Sequence, residues 1–301
     1  MTLWCYVADR GNWGQQIIQM AIARGLDARP FTEPSDDIRR GDYVFMRIPQ
    51  WQPELDVGKT IATTLYQRGC IMIPDMFTIR AYEDKAMQTR AYFNWMPETR
   101  LIHGPYSIRE AITAVHELGL PFVSKSREAS ASTNVRLIKT LEEATKEFDT
   151  VMNSVGLDIR IGKGRTGKQK GYLIWQKFCA GNDCDYRAVV TGRHVMLLRR
   201  FNKHGTPFAS GSGRNEPVNY LDTPELVRMY GKALEFFYEN DLKWNGIDLV
   251  CDKDDNEWKV LETTLGWSQA AYAECLYIGT AYRGRQIFEL FLDELEQGVF
   301  R

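Results

Sequence analysis

Two acids, Asp248 and Glu262, are the residues whose setting most suggests chemistry. They lie in two short runs rich in Ile, Val, Leu and Trp, residues 246–251 and 258–264, on either side of a polar segment, 252–257. That composition is two strands joined by a tight turn. With Asp254-Asp255-Asn256 as a three-residue loop, and Asn256 in the left-handed conformation Asn tolerates, Lys253 faces Glu257. Counting back along both strands places Asp248 opposite Glu262. Period-two alternation then gathers Asp248, Glu262 and Thr264 on one face, together with Val250, Val260 and Trp258. Like charges directly opposite each other destabilise a sheet unless a cation lies between them or one of them is paired. Magnesium suits the first case, because it takes oxygen ligands and is held by one or two carboxylates together with substrate phosphates. A nucleotide is then expected. The second reading stays open: one acid sits at a strand end and pairs with a basic residue.

The elements that must position this pair follow from periodicity. Residues 3–7 form an apolar run, followed by Gly11, Gly14 and a helix with Ile17, Ile18, Ala21 and Ile22 facing inward. Gly-x-x-Gly after a strand without a third glycine is fold geometry rather than a dinucleotide fingerprint. Strands at 42–47 and 70–73 flank a helix at 61–68, which gives a small Rossmann-like α/β domain over residues 1–81. Helical spacing resumes from Tyr82 to Trp95 and carries Lys85. Ser107 and Glu110 form a helix capping pattern before 108–118, a strand at 121–125 ends in Lys125, and a Ser- and Ala-rich segment, 126–134, has the composition of a loop that folds over phosphates. A strand at 135–138 and a helix at 141–151 follow.

Residues 160–170 are the one basic cluster, with Lys163, Arg165, Lys168 and Lys170 among three glycines. The segment imitates a phosphate-binding Walker loop, but Gln169 replaces the required Ser or Thr and a strand at 172–178 follows where a helix is needed. It reads as a solvated loop or an anion-binding lid. A second hairpin spans 185–190 and 194–198, turned by Thr191-Gly192-Arg193. A helix at 224–240 leads into the Asp248–Glu262 hairpin, and an amphipathic helix at 285–297 closes the chain as core.

Composition bounds the function. At 301 residues, 44% hydrophobic and 26% charged, with formal net charge -1, the chain is globular, and nucleic acid is an unfavourable partner. No run approaches the ~20 apolar residues of a membrane helix, and no basic-then-apolar leader opens the chain, so a cytoplasmic location is expected. The six cysteines lack metal-site spacing and read as core, Cys179 and Cys184 included.

Taken in order, Lys85, Lys125, Gln176, Asp185-Tyr186-Arg187, Gly246-Ile247-Asp248 and Val260-Leu261-Glu262 resemble the ATP-grasp ligases. The nearest branch is that of ligases joining glutamate to a ribosomal protein or to small peptides (RimK-type). The resemblance implies an α/β (α+β) ATP-grasp fold with an N-terminal pre-ATP-grasp domain over 1–81, a central subdomain over 82–175 and a C-terminal subdomain over 176–301. It implies ATP and Mg2+, with Lys85 and Lys125 at the phosphates, Gln176, Lys177 and Phe178 offering backbone to the adenine edge, and Asp185 near the ribose or the site's polar network. Asp248, Glu262 and Thr264 become the metal-binding set, and Arg187, Arg199 or Arg214 the groups that hold the reacting carboxylate and its oxyanion.

Three positions depart from the family. Lys177 stands where an acid is usual, Thr264 where asparagine is usual, and Ala209-Ser210-Gly211 where an arginine and an asparagine are usual. The expected activity is ATP-dependent formation of an amide or peptide bond between a small carboxylate and an amine, a peptide or protein terminus among the candidates. A kinase on the same fold, or a weakly catalytic nucleotide-binding module, remains open, as does a homo-oligomer.

Overall fold

The computed structural model describes residues 1–8, 11–104, 107–127, 135–162, 164–202, 214–267 and 287–300. The first unit alternates short apolar strands with helices: β1 (Leu3–Tyr6), α1 (Trp13–Ala23), β2 (Ala28–Phe31), β3 (Tyr43–Phe45), α2 (Glu54–Gln67), β4 (Ile71–Ile73) and α3 (Met76–Ala81). All its strands are parallel, in the order β2-β1-β3-β4, so the winding direction reverses between β1 and β3. Alternation divides the strands between two layers. Leu3, Cys5 and Phe45 join a core with α1, whereas Trp4, Tyr6, Val44 and Met46 join one with α2 and α3. Strand β2 and helix α3 have no counterpart in the sequence reading. Helix α2 begins earlier than residue 61, because Glu54 and Asp56 occupy its first turn, where the helix dipole favours acids. Ile22, expected inward, is 58% exposed.

The second unit runs α4 (Lys85–Ala91), a single 3-10 turn (Phe93–Trp95), β5 (Thr99–His103), α5 (Ile108–Leu118), β6 (Phe122–Lys125), β7 (Val135–Ile138), α6 (Leu141–Met152), β8 (Leu157–Gly162), β9 (Arg165–Gln169) and β10 (Tyr172–Lys177). Ser107 and Glu110 do form the capping box. The helix expected over 82–95 is instead α4 with its trailing turn; Glu83 takes φ 54° and Asp84 caps α4 by accepting from Met87 N–H. The basic segment is an antiparallel hairpin, β8–β9, not a loop. Leu157 and Ile159 alternate with Asp158 and Arg160, a strand pattern that the charges and glycines obscured. Strands β5-β10-β6-β7 make a separate antiparallel sheet under α5 and α6.

The third unit is the antiparallel sheet β13-β12-β11-β14-β15, built from β11 (Cys184–Thr191), β12 (His194–Phe201), β13 (Asn215–Pro217), β14 (Trp244–Asp252) and β15 (Glu257–Thr264), with α7 (Pro224–Glu239) and α8 (Ile287–Glu296). One face is apolar over most of its length, where Tyr186, Ala188, Leu197, Ile247, Leu249, Trp258 and Val260 pack on α7. The other changes character along its length. Val189, Met196, Leu198 and Trp244 bury against α8 and the first unit, and beyond them the same face carries Arg187, Arg200, Asp248 and Glu262. Among the described residues no helix is long and apolar enough to cross a membrane, and Cys179 and Cys184 are free thiols.

Candidate functional site

Asp248 and Glu262 are partners across β14–β15. The route to that pairing differs from the one the turn suggested. Asp252 pairs with Glu257, so the turn occupies residues 253–256, one residue longer than expected; a bulge at Leu261 then restores the register, and Asp248 meets Glu262. The bulge also reverses the facing of the strand on either side of it. Trp258 and Val260 therefore lie on the opposite face, in the core with α7, and do not accompany the acids. What surrounds the acids is polar.

Asp248 is 4% exposed and lies directly opposite Arg187 on β11. The Arg187 guanidinium donates to both its oxygens, Nε to Oδ1 at 2.6 Å and Nη2 to Oδ2 at 2.8 Å, and Arg200 Nη2 approaches Oδ2 at 2.6 Å. Burial alone would raise the Asp248 carboxyl, but the two guanidinium groups hold it well below the usual carboxylate range. Arg200 also donates from Nε to Asp185 Oδ1 at 2.6 Å, which brings Asp185 into the same network.

Glu262 meets the second unit. Lys85 Nζ lies 3.5 Å from Glu262 Oε2, and Lys125 Nζ donates to the carbonyl of the bulged Leu261 at 3.3 Å. The two lysines respond oppositely. Burial opposes the Lys85 charge most strongly, yet Glu262, Glu83 and Asp248 together outweigh it and the ammonium is raised. Burial lowers Lys125 to about 8, with Glu262 opposing and Lys85 contributing to the drop.

Lys85 is held by its own helix. Gln88, one turn further along α4, receives the Thr263 N–H at Oε1 (3.0 Å) and donates to the Thr263 carbonyl at 3.2 Å and the Ala81 carbonyl at 2.8 Å. This amide locks α4 onto the residue beside Glu262. At the start of the helix, Arg127 donates twice to Asp84 Oδ2, at 3.0 and 2.6 Å, and its N–H donates to Gln169 Oε1 at 2.9 Å. Nothing in the sequence patterning marked Gln88 or Arg127.

The remaining expected residues fall elsewhere. Arg199 points to the opposite face of the sheet, donating to Tyr186 Oη at 3.0 Å with its guanidinium over the Tyr186 and Phe201 rings. Arg214 lies over Phe201 and pairs with Glu216 on the same side. The cause is parity. A turn of Thr191-Gly192-Arg193 sets Asp185 opposite Arg199, but Thr191 pairs with His194, Gly192 takes φ 59°, and Asp185 pairs with Arg200.

Gln176 is buried inside its sheet and donates to Thr99 Oγ1 at 2.9 Å, while the Lys177 N–H donates to the Glu98 carbonyl at 2.8 Å. Lys177 Nζ pairs with Asp252 at 2.8 Å and Asp254 at 2.7 Å, joining the end of β10 to the β14–β15 turn. The Thr264 hydroxyl faces Gly266, donating to its carbonyl at 3.3 Å and accepting its N–H at 3.2 Å. Residues 128–134, Lys163 and Ala209-Ser210-Gly211 lie outside the described residues.

Asp248 is thus matched by basic residues, and a cation whose other ligands are supplied by phosphates would meet Glu262 together with the Asp248 lone pairs that Arg187 and Arg200 do not engage. Among the described residues no third acid, His or Cys completes an all-protein cage. The face gathers Lys85, Lys125, Arg187 and Arg200 with Asp185, Asp248 and Glu262, and Glu83 adds its charge beside Lys85.

No protein-family model and no curated protein matches the chain. Solved structures do. A RimK domain ATP-grasp protein from Sphaerobacter thermophilus superposes with a TM-score of 0.55 at 16% identity, over 89% of this chain and 93% of that one. D-alanine–D-alanine ligase from Bacillus anthracis gives 0.62 at 13% identity, over 100% of this chain and 98% of that one. The ATP-grasp ligase PsnB, complexed with a minimal precursor, Mg and ADP, gives 0.59 at 12% identity, over 99% and 98%. At these identities the likeness is one of fold: the chain has the α/β ATP-grasp fold, with a parallel sheet in its first unit.

Proposed function

We propose, from the ATP-grasp fold, that this chain is an ATP- and magnesium-dependent ligase that joins a carboxylate to an amine through an acyl phosphate. The observation that carries the reading is the convergence of Lys85, Lys125, Arg187 and Arg200 on the Asp248–Glu262 pair, at one end of a sheet face that is otherwise apolar. Solved structures of the same fold include a D-alanine–D-alanine ligase and a ligase bound to its precursor. Small carboxylates and amines are the substrate class, with a peptide terminus as one form of either.

Lys85 and Lys125 would bind the nucleotide phosphates, each as a compact charge. Asp248 and Glu262 would hold magnesium, which supplies neutralisation of phosphate charge, and Thr264 would orient a water through the hydroxyl now turned to Gly266. The substrate carboxylate oxygen attacks the γ-phosphorus and ADP departs. The amine nitrogen then attacks the acyl carbon, phosphate leaves with the bonding pair, and the amine gives up a proton. Arg187 and Arg200 are the groups suited to the carboxylate and the oxyanion that follows it, since each makes charge-assisted bonds to a carboxylate already. Arg200 takes the place assigned to Arg199 and Arg214 from sequence.

Calorimetry of ATP binding with and without magnesium, on the native protein and on Asp248→Asn and Glu262→Gln, tests the reading. Magnesium-dependent binding that both variants lose is the expected result. Binding that ignores magnesium, or variants that bind as the native protein does, removes the metal assignment. Phosphate release with acid and amine pairs then separates a ligase from a kinase, which yields ADP without free phosphate.

A further inference from the structure

The basic segment has so far been given no task. Its strands, β8 and β9, form a two-stranded sheet of their own, apart from the four-stranded sheet of the central unit. A lone two-stranded ribbon is marginal in water, so its position is set by what it touches at each end. Along β9 Arg165 and Lys168 are exposed, whereas Gln169 is 3% exposed. Gln169 Oε1 accepts the Arg127 N–H at 2.9 Å, and Nε2 donates to the Tyr172 carbonyl at 3.0 Å. The glutamine that stands where a Walker loop needs Ser or Thr is thus a buried tie at the base of the ribbon.

The tip reaches the first unit. The Gln52 N–H donates to the Ile161 carbonyl at 3.2 Å, and Arg165 Nη1 donates to the Gln52 carbonyl at 3.1 Å, so the ribbon engages both backbone groups of one residue. Arg160 lies over the Trp51 ring at 5.6 Å. These two residues are themselves anchored to α2: the Trp51 carbonyl accepts the Leu55 N–H at 3.0 Å, and Gln52 Nε2 donates to Asp56 Oδ1 at 3.0 Å.

At the other end Arg127 carries the contact to Lys85. Its carbonyl accepts the Lys85 N–H at 3.1 Å, and its guanidinium holds Asp84, the cap of α4. Helix α4 needs this support. It is 7 residues long, well short of the ~12–15 at which a helix begins to hold by itself. The chain also enters it through Glu83 at φ 54°, a left-handed conformation unfavourable to a residue with a β-carbon.

We propose that the β8–β9 ribbon is a strut that positions Lys85 from the first unit, with Gln169 and Arg165 as its positioning residues. Gln88 ties the helix to the third unit, Arg127 ties it to the ribbon, and the ribbon ties it to the start of α2, so all three units locate one lysine. The charges of the segment then serve its placement: Arg165 reaches a carbonyl, and Lys168 pairs with Asp158 at 2.7 Å along the ribbon. What the strut does for the nucleotide rests on the ligase reading, in which Lys85 meets the phosphates.

Amide hydrogen exchange, read residue by residue by NMR on the whole protein without nucleotide, tests the strut itself. Arg165→Met removes the tip bond at an exposed position, and Arg165→Lys keeps one donor for the same carbonyl. In Arg165→Met, exchange at Gln52, Arg127 and Lys85 is expected to quicken together, by about threefold or more, with the urea midpoint unchanged. Arg165→Lys should restore all three. Calorimetry with magnesium and ATP gives the second readout: a Kd raised about threefold in Arg165→Met, native in Arg165→Lys, and raised about tenfold in Gln169→Leu, which strands the Arg127 N–H. The proposal is overturned if Arg165→Met quickens exchange at Gln52 alone, or if it leaves the ATP affinity of a nucleotide-binding native protein unchanged. If the native protein binds no nucleotide yet the three amides respond together, the ligase reading fails and the strut stands; nucleotide binding with amides that respond separately is the reverse.

Discussion

Asp248 is the most heavily committed side chain of the site, and its chemistry makes definite demands. With two guanidinium groups on a buried carboxylate, removing the acid leaves two cations without their counter-ion. Asp248→Ala is expected to lose about 3–5 kcal/mol of stability, measured by urea denaturation. The pH dependence has a fixed sign. The carboxyl is depressed below its ordinary value of 3.8, so its contribution is complete above that value and falls away as the solution becomes more acidic. The stability difference between the native protein and Asp248→Asn should be constant from neutrality down to about pH 5 and shrink below about pH 4. Lys125 titrates at the other end. Lowered to about 8 by burial, it is largely neutral at pH 9 in the free protein, and bound phosphate favours its charged form. Nucleotide binding at pH 9 should take up a proton, seen as a dependence of calorimetric heat on buffer ionisation enthalpy, and Lys125→Met should abolish it.

Elements, more than side chains, decided what was legible beforehand. The Asp248–Glu262 pairing could be counted from the turn because an extra turn residue and a bulge at Leu261 cancel. At β11–β12 the turn is one residue shorter than Thr191-Gly192-Arg193, which puts Arg200 rather than Arg199 on the charged face, since a one-residue slip moves every side chain to the other face. The β8–β9 hairpin escaped notice because its apolar residues are few and its charges many. Gln88 could not be found at all: its partner, Thr263, lies far along the chain, and an amide facing backbone leaves no periodic trace. Its importance is measurable. Gln88→Leu strands a buried N–H and carbonyl on β15 and should cost about 1–3 kcal/mol, while raising the Kd for ATP because α4 no longer holds Lys85 beside Glu262. Native ATP affinity in Gln88→Leu would show that Lys85 is positioned by other means.

The molecule as a whole is tied through α8. Phe291 is fully buried, with ring centroids 5.3 Å from Phe45 of the parallel sheet and 5.1 Å from Trp244 of the antiparallel one. Arg24, which caps the end of α1, also pairs with Asp293 on α8 at 2.7 Å. The first and third units therefore share one core, in which Phe291→Ala should cost about 3–5 kcal/mol. Amide exchange should report the loss in β1 and β3 as well as in β11 and β12. Loss confined to one sheet would mean that the two cores open independently.

The bulge at Leu261 carries a consequence for insertions and deletions. The portion of β15 before it is in phase with the core under α7, and the portion after it is in phase with the charged face. What the position supplies is a carbonyl aimed at Lys125, which does not depend on the leucine side chain. Substitution at 261 should be tolerated widely. Deleting the residue makes Val260 and Glu262 neighbours, which plain alternation still sends to the core and to the charged face respectively, so both portions should keep their facing while the carbonyl aimed at Lys125 is lost.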